Sequence, residues 1–164
     1  HTPVTALDED HFMYFWGPNK EMIEVYTRKK GHAFEHIHLL ATDVDVTMRW
    51  FSSTLGLDPV YRKSAKSPRG FKWNYFTVND IDIVVFGKPD KKETWWPEEG
   101  FKPTDGSAFN HIGFCFQNVE AIFKEMKTAG ICIVEDIKYN PENELKSFLI
   151  RGPDQLLIRI LGEI

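Results

Sequence analysis

The sequence predicts an α+β fold made of two paired βαβββ modules, and two internal repeats together with one change of periodicity support this prediction. In the first repeat, residues 33–44 align with residues 108–119 without a gap, at an offset of 75 (108 − 33). In the second, residues 17–25 align with residues 152–160 at an offset of 135 (152 − 17). Each copy of the first repeat begins with apolar residues at every second position. The apolar residues then recur at a helical period, as in a strand followed by a helix. One repeated supersecondary unit explains all three observations.

The first module is expected to open with a strand on which His36, His38 and Leu40 share one face. Asp43 is well placed to cap the next helix, and Gly56 to end it. A turn at residues 79–80 joins the last two strands. The strands predicted for this module are 34–41, 58–62, 72–78 and 81–86.

The second module repeats this order, with a strand at 109–116, a helix at 119–128, a strand at 131–136 and a hairpin at 147–161. The hairpin turns at Gly-Pro-Asp, whose residues favour tight turns. An equivalent Gly-Pro-Asn lies inside another predicted hairpin at residues 12–26. We therefore expect residues 1–30 to be the closing strands of a preceding, truncated module in a longer parent protein. The two complete modules are expected at 33–90 and 108–164.

The composition narrows the possible partners to a small molecule. A net charge of −4 and a pI of about 5.9 disfavour nucleic acid, which requires a clustered positive field. No apolar run reaches the roughly 20 residues that span a bilayer, so we expect no membrane partner. A cytoplasmic location is the default expectation. An exposed sheet edge at the N-terminus suggests pairing in a homodimer or with further modules. Cys115 and Cys132 lie in apolar, strand-like runs and are predicted to be buried thiols.

An opening His-Ile, an Asp-Val or Asn-Val seven residues later and a closing Gly-Pro-Asn or Gly-Pro-Asp hairpin resemble the module of the vicinal oxygen chelate superfamily. This superfamily includes glyoxalases, extradiol dioxygenases and bleomycin-resistance proteins. The resemblance implies that the paired modules form a curved mixed sheet, a cup, with the helices on its outer face. It also implies metal ligands on the first and fourth strands of each module and a small organic substrate with vicinal oxygens.

The resemblance implies that His36 and His111, on the two opening strands, are metal ligands. Glu24 matches the family glutamate of a closing strand and is therefore expected to act as a metal ligand or a general base. Its alternative is a glutamate in solvent on an edge strand. In the last module Arg159 takes the glutamate position, and a guanidinium offers no lone pair to a cation. In the first complete module the same position is either Asp82 or Val84.

Several residues keep two interpretations. Arg159 either holds a substrate carboxylate or enolate oxygen, or forms a salt bridge with Asp82. His38 either replaces the missing ligand or only lines the cup together with His36. The two opening histidines either bind a metal or are hydrogen-bonded remnants of a lost site. Trp95 and Trp96 either cover the cup or pack the loop 87–107 onto the modules.

Two classes of function follow. The first is an enzyme, either a metal-dependent lyase or isomerase or a ring-cleaving dioxygenase, using a divalent metal such as Fe, Zn, Mn or Ni. The second is a metal-free module pair that binds a small ligand or supports a catalytic neighbour. Glu24 and the paired histidines favour the enzyme, and Arg159 favours the binding module.

Overall fold

A computed structural model describes residues 2–7, 9–27 and 33–163 of the chain. It divides into two compact units. The smaller one comprises His1–Phe34 and Asp105–Asn110, and the larger one Glu35–Thr104 and His111–Ile164. Each unit has its own sheets.

The smaller unit contains one antiparallel sheet with the strand order β1-β2-β3. Its strands are β1 (Thr5–Leu7), β2 (Asp10–Trp16) and β3 (Met22–Tyr26). The hairpin predicted at residues 12–26 is confirmed, with Phe12 opposite Tyr26. At its turn the backbone N–H of Lys20, in the left-handed region at φ 65°, donates to the Gly17 carbonyl at 3.1 Å.

The larger unit begins with a module whose order is strand, helix and three strands. Its elements are β4 (His36–Leu40), α1 (Val44–Leu55), β5 (Ala65–Lys66), β6 (Lys72–Val78) and β7 (Ile81–Phe86). The sheet order is β4-β7-β6-β5, and the first and last strands pair in parallel. The Asp43 carboxylate caps α1 by accepting from the Val46 N–H at 3.1 Å, and Gly56 ends the helix at φ 71°. Both predicted helix boundaries are confirmed.

The second module has the same topology. Its elements are β8 (Ile112–Cys115), α2 (Val119–Thr128), β9 (Cys132–Asn140), β10 (Leu145–Arg151) and β11 (Leu157–Glu163). The sheet order β8-β11-β10-β9 again places the first strand parallel to the last. Two mixed sheets with one helix each confirm the predicted α+β class.

A single apolar core joins the two modules of the larger unit. Its fully buried members include Phe51 and Phe76 from the first module and Phe148 and Ile160 from the second. At the module boundary the Thr42 N–H donates to the Asp154 carboxylate at 2.9 Å. Asp154 lies in the short 3₁₀ turn Pro153–Gln155 of the β10–β11 hairpin, so the Gly-Pro-Asp turn also connects the modules.

The strand predicted at 58–62 is wrong, because a side chain replaces part of the backbone pairing there, although the Val60 N–H still donates to the Tyr75 carbonyl at 2.9 Å. Asn74 on β6 is 2 % exposed. Its Oδ1 accepts from the N–H groups of Tyr61 and Tyr75 at 3.2 and 2.9 Å, and its Nδ2 donates to the Tyr61 carbonyl at 2.9 Å. Pro59, within the predicted strand, has no N–H for a ladder. Regular pairing on this edge is limited to the two residues of β5.

Replacing Asn74 with alanine is expected to lower the free energy of unfolding by about 2 kcal/mol, because it removes three hydrogen bonds and leaves backbone groups unsatisfied. Urea unfolding followed by tryptophan fluorescence measures this change. Asn140→Ala is the matched control, since exposed Asn140 accepts one bond, from the Glu142 N–H at 2.9 Å. It should change stability by less than about 0.5 kcal/mol. Equal effects of both variants would contradict the role given to Asn74.

Other predictions need smaller corrections. The opening strands are shorter than the predicted 34–41 and 109–116, and the predicted strand 131–136 extends to Asn140. Cys115 and Cys132 are exposed rather than buried, because their strands present these positions to the face away from the core. Neither described helix has the length and apolar character needed to cross a membrane.

Candidate functional site

The first module carries its polar and aromatic side chains on the sheet face opposite α1. His36 lies opposite Asp82, and His38 opposite Val84, in the parallel β4–β7 pair. Alternation along these strands places Ile83 and Val85 on the other face, where they are 3 % and 0 % exposed in the core beneath α1. We call the exposed side of this sheet the histidine face. It is defined by His36, His38, Trp73, Tyr75, Thr77, Asp82, Val84 and Phe86.

His36 and His38 form a close pair on this face. Their ring centroids are 4.7 Å apart and the rings are inclined by only 18°. A nitrogen of one ring lies within 4.8 Å of a nitrogen of the other. Both side chains are half-buried. Small ring rotations can therefore direct two imidazole nitrogens to one point.

A carboxylate supports the first of these rings. Nδ1 of His36 lies 3.3 Å from Oε2 of Glu35, and the exposed fractions of the two side chains are 19 % and 20 %. In metal sites a carboxylate on one imidazole nitrogen fixes the ring orientation and makes the other nitrogen more basic. Glu35 was not among the residues predicted for the site. The repeat could have pointed to it, because Glu35 precedes His36 as Asn110 precedes His111.

An aromatic wall continues from the histidine pair. His38 packs on Phe86 with centroids 4.5 Å apart, and Phe86 packs on Phe71 at 4.7 Å. Trp95 closes the wall edge-on to Phe71 at 5.6 Å. Trp95 thus packs the loop onto Phe71 and Phe86 of the first module. Trp96 is 8 % exposed and packs edge-on against Phe101 of the same loop.

Asp82 and Tyr75 are the polar groups beside the histidines. The Thr77 hydroxyl donates to the Asp82 carboxylate at 2.7 Å. The pKa of Tyr75 is raised, first by burial and then by the neighbouring Tyr61 and Asp82. The Tyr75 phenol is therefore protonated at neutral pH and can donate a hydrogen bond.

Arg159 occupies the corresponding face of the second module. It lies opposite Gly113 on β8 and Leu149 on β10. Its Nη1 contacts Oε2 of Glu135 at 3.4 Å and the hydroxyl of Ser147 at 3.2 Å. The alternative of a salt bridge to Asp82 is wrong, because Glu135, on the same row of the sheet, pairs with the guanidinium instead.

His111 lies just before β8, and the Arg159 guanidinium affects its pKa. Burial lowers the pKa of His111, and the positive charge of Arg159 lowers it further. A positive charge near His111 also opposes a bound cation by simple repulsion. The two opening histidines therefore have different surroundings: a carboxylate beside His36 and a guanidinium near His111.

The strand registers identify the closing-strand position that the sequence left open. His38 pairs with Val84 and Gly113 pairs with Arg159, and both partners keep the offset of 75 (113 − 38 and 159 − 84). Val84, not Asp82, is therefore the counterpart of Arg159. In the smaller unit Glu24 stands opposite Tyr14 on β2, as Val84 stands opposite Tyr75 on β6.

Comparison with known proteins identifies the family. A family model described as the Glyoxalase/Bleomycin resistance protein/Dioxygenase superfamily matches residues 35–146, more than half of the chain. The chain belongs to this superfamily. A search of curated protein sequences found no match.

Solved structures with this superfamily's fold resemble the chain over most of its length. The protein SMU.1112c is 21% identical with a TM-score of 0.63, covering 80% of this chain and 99% of its own. A glyoxylase/bleomycin resistance protein/dioxygenase domain from Frankia sp. EAN1pec is 12% identical with a TM-score of 0.62, covering 82% and 100%. A variant of the fosfomycin resistance protein FosX from Listeria monocytogenes, solved with Mn(II) and a dihydroxypropylphosphonic acid, is 17% identical with a TM-score of 0.55, covering 78% and 90%. At these identities the likeness shows the fold alone.

Proposed function

We propose that this superfamily member is a metal-dependent enzyme acting on a small organic substrate with vicinal oxygens, and that His36 and His38 are its two imidazole ligands. The observation that carries the proposal is the stacked histidine pair, with ring nitrogens within 4.8 Å, on a half-buried sheet face. Within the smaller unit, Glu24 is proposed separately as a metal ligand or general base, because it takes the family's glutamate position on its own closing strand.

The two imidazoles fit a divalent metal. They leave coordination positions open, and imidazole nitrogen suits a divalent metal such as Fe, Zn, Mn or Ni. A bound metal would supply Lewis-acid stabilisation of charge on two neighbouring substrate oxygens. The Glu35 carboxylate orients the His36 ring for such a role.

The aromatic wall and the polar residues beside the histidines position the substrate. Phe86, Phe71 and Trp95 offer an apolar wall that excludes water and packs against a flat or apolar substrate portion. The protonated Tyr75 phenol donates a hydrogen bond to a substrate oxygen. Asp82, held by Thr77, accepts one from a substrate hydroxyl.

The FosX variant solved with Mn(II) has the same fold, and this supports a divalent metal here. His111, by contrast, is not proposed as a ligand, because Arg159 places a positive charge near it. This assignment replaces the histidine pair His36 and His111 expected from the family resemblance.

The direct test is metal stoichiometry. The chain, freed of metal with EDTA and dialysed, is expected to bind about one equivalent of Mn²⁺ or Zn²⁺ in a calorimetric titration, with elemental analysis confirming the amount. His11→Ala is a matched control, because His11 is an exposed histidine on β2. It should leave the stoichiometry unchanged. Binding no greater than that of a His36→Ala/His38→Ala double variant would overturn the proposal.

A metal-free binding function remains the second candidate, and Arg159 is the observation in its favour. With Ser147 it presents hydrogen-bond donors to one side of a cavity of about 520 Å³, which is large enough for a small organic anion. In that case the chain would bind its ligand equally well with and without EDTA treatment. The stoichiometry experiment therefore separates the two functions.

A further inference from the structure

A second cavity lies on the helix side of the first module, away from the histidine face. Its volume is about 910 Å³, and α1, the irregular segment 59–64 and the start of β6 line it. The cavity exists where regular strand pairing is absent, because Asn74 ties this segment to β6 through its side chain.

Positive charge dominates the lining of this cavity. Arg49, Arg62, Lys63 and Lys72 are its cations, and Asp45 is its carboxylate. The lining therefore carries a formal charge of +3 (4 − 1), in a chain whose net charge is −4. A local field of opposite sign to the whole molecule concentrates ligands of negative charge.

Most of this positive charge is not neutralised by the protein. Lys72 donates to the Asp45 carboxylate at 2.7 Å. Hydrogen bonds from Lys72 and Ser64 lower the pKa of Asp45, which keeps it ionised and engaged. Within the part of the chain that the structure describes, Arg49, Arg62 and Lys63 form no ion pair. Like charges brought together without a partner repel each other, and a bound anion would offset that cost.

We infer that this cavity binds a small polyanionic ligand of the phosphoester or diphosphate class. Guanidinium groups bind phosphate oxygens in bidentate fashion, and lysine adds a compact charge. A volume of about 910 Å³ fits a small molecule, whereas a nucleic acid would need an extended positive surface on this acidic chain. The nearby Ser52 and Ser53 hydroxyls add hydrogen-bonding capacity to the rim. This site is independent of the proposed metal site.

The test uses inorganic pyrophosphate and the full chain. The chain is first treated with EDTA, so that no metal bound at the histidine pair can attract the pyrophosphate. Calorimetric titration is expected to show saturable binding of one pyrophosphate. An Arg49→Gln/Arg62→Gln variant should bind at least about tenfold more weakly, because charge-assisted hydrogen bonds are lost. The matched control is Lys91→Gln/Lys92→Gln, which removes the same charge from exposed residues outside the cavity.

The outcomes are distinct. Unchanged binding in the Lys91/Lys92 control and in His38→Ala, with loss in the arginine variant, supports the site. Equal weakening in the arginine and lysine variants would show non-specific attraction and overturn the inference. Absence of saturable binding to the wild-type chain at millimolar pyrophosphate would also overturn it. Far-ultraviolet circular dichroism of each variant verifies that it is folded, and none of these results depends on metal binding.

Discussion

Replacing His38 with alanine is expected to weaken Mn²⁺ or Zn²⁺ binding at least about 100-fold, whereas His111→Ala should change it less than about threefold. His38 stacks on His36 with centroids 4.7 Å apart and so can share a cation with it. Arg159 places a positive charge near His111 and disfavours a cation there. Competition with a chromophoric chelator, using metal-free protein, measures both affinities on one scale.

The histidine comparison also tests the family expectation directly. In the expected arrangement both opening histidines ligate, so both variants would lose affinity to a similar extent. Equal losses would therefore contradict the assignment made here and favour the pair His36 and His111. Each variant is compared with the wild-type chain in thermal unfolding without metal. A change of affinity then reports on the ligand rather than on the fold.

Much of the architecture was predictable because both modules carry the same sequence pattern for a strand followed by a helix. The strand face of His36 and His38 follows from alternation, and the Asp43 cap and Gly56 stop follow from local chemistry. The Gly-Pro-Asp hairpin likewise follows from its turn residues. These features depend on short-range rules, so one sequence is sufficient to identify them.

The features that escaped prediction depend on contacts across the sheet. Nothing local shows that the Asn74 side chain would replace a strand at 58–62, because its partner Tyr61 is thirteen residues away. The pairing of Arg159 with Glu135 requires the register of three strands, with register shifts in β10 that the sequence does not reveal. The closing-strand position of the first module depends on the same kind of information, since Val84 could be matched to Arg159 only from strand pairing.

The two modules also share a glycine that neither repeat had revealed. Gly87, just after β7, and Gly162, within β11, are separated by the offset of 75 (162 − 87), and each lies beside the first residue of a helix, Val44 or Val119. In both modules the carbonyl just before this glycine accepts a hydrogen bond: the Phe86 carbonyl accepts from the Ala41 N–H and the Leu161 carbonyl from the Phe116 N–H, both at 2.8 Å. The glycine lets the closing strand approach the turn into the helix.

Gly162→Ala is expected to destabilise the chain by about 3 kcal/mol or more, the largest stability effect predicted here. A Cβ at this position would lie 2.1 Å from the Phe116 carbonyl oxygen and 2.9 Å from Cγ2 of Val119. The first of these is a backbone atom that cannot rotate away, so β11 must separate from β8 to relieve the clash. Thermal unfolding by circular dichroism should show a Tm lower by roughly 6–12 °C.

Gly87→Ala tests the same position in the first module, where the contacts are tight but less severe. There an added Cβ would meet Cγ2 of Val44 at 3.0 Å and the Lys72 carbonyl at 3.3 Å, contacts that a small shift relieves. We expect a loss of less than about 1 kcal/mol, within the range of a tolerated core change. If both variants cost the same, the approach of β11 to the Phe116 carbonyl would not limit the packing of the second module. A large effect of Gly162→Ala alone, by contrast, shows that close approach of the closing strand to the helix start holds that module together.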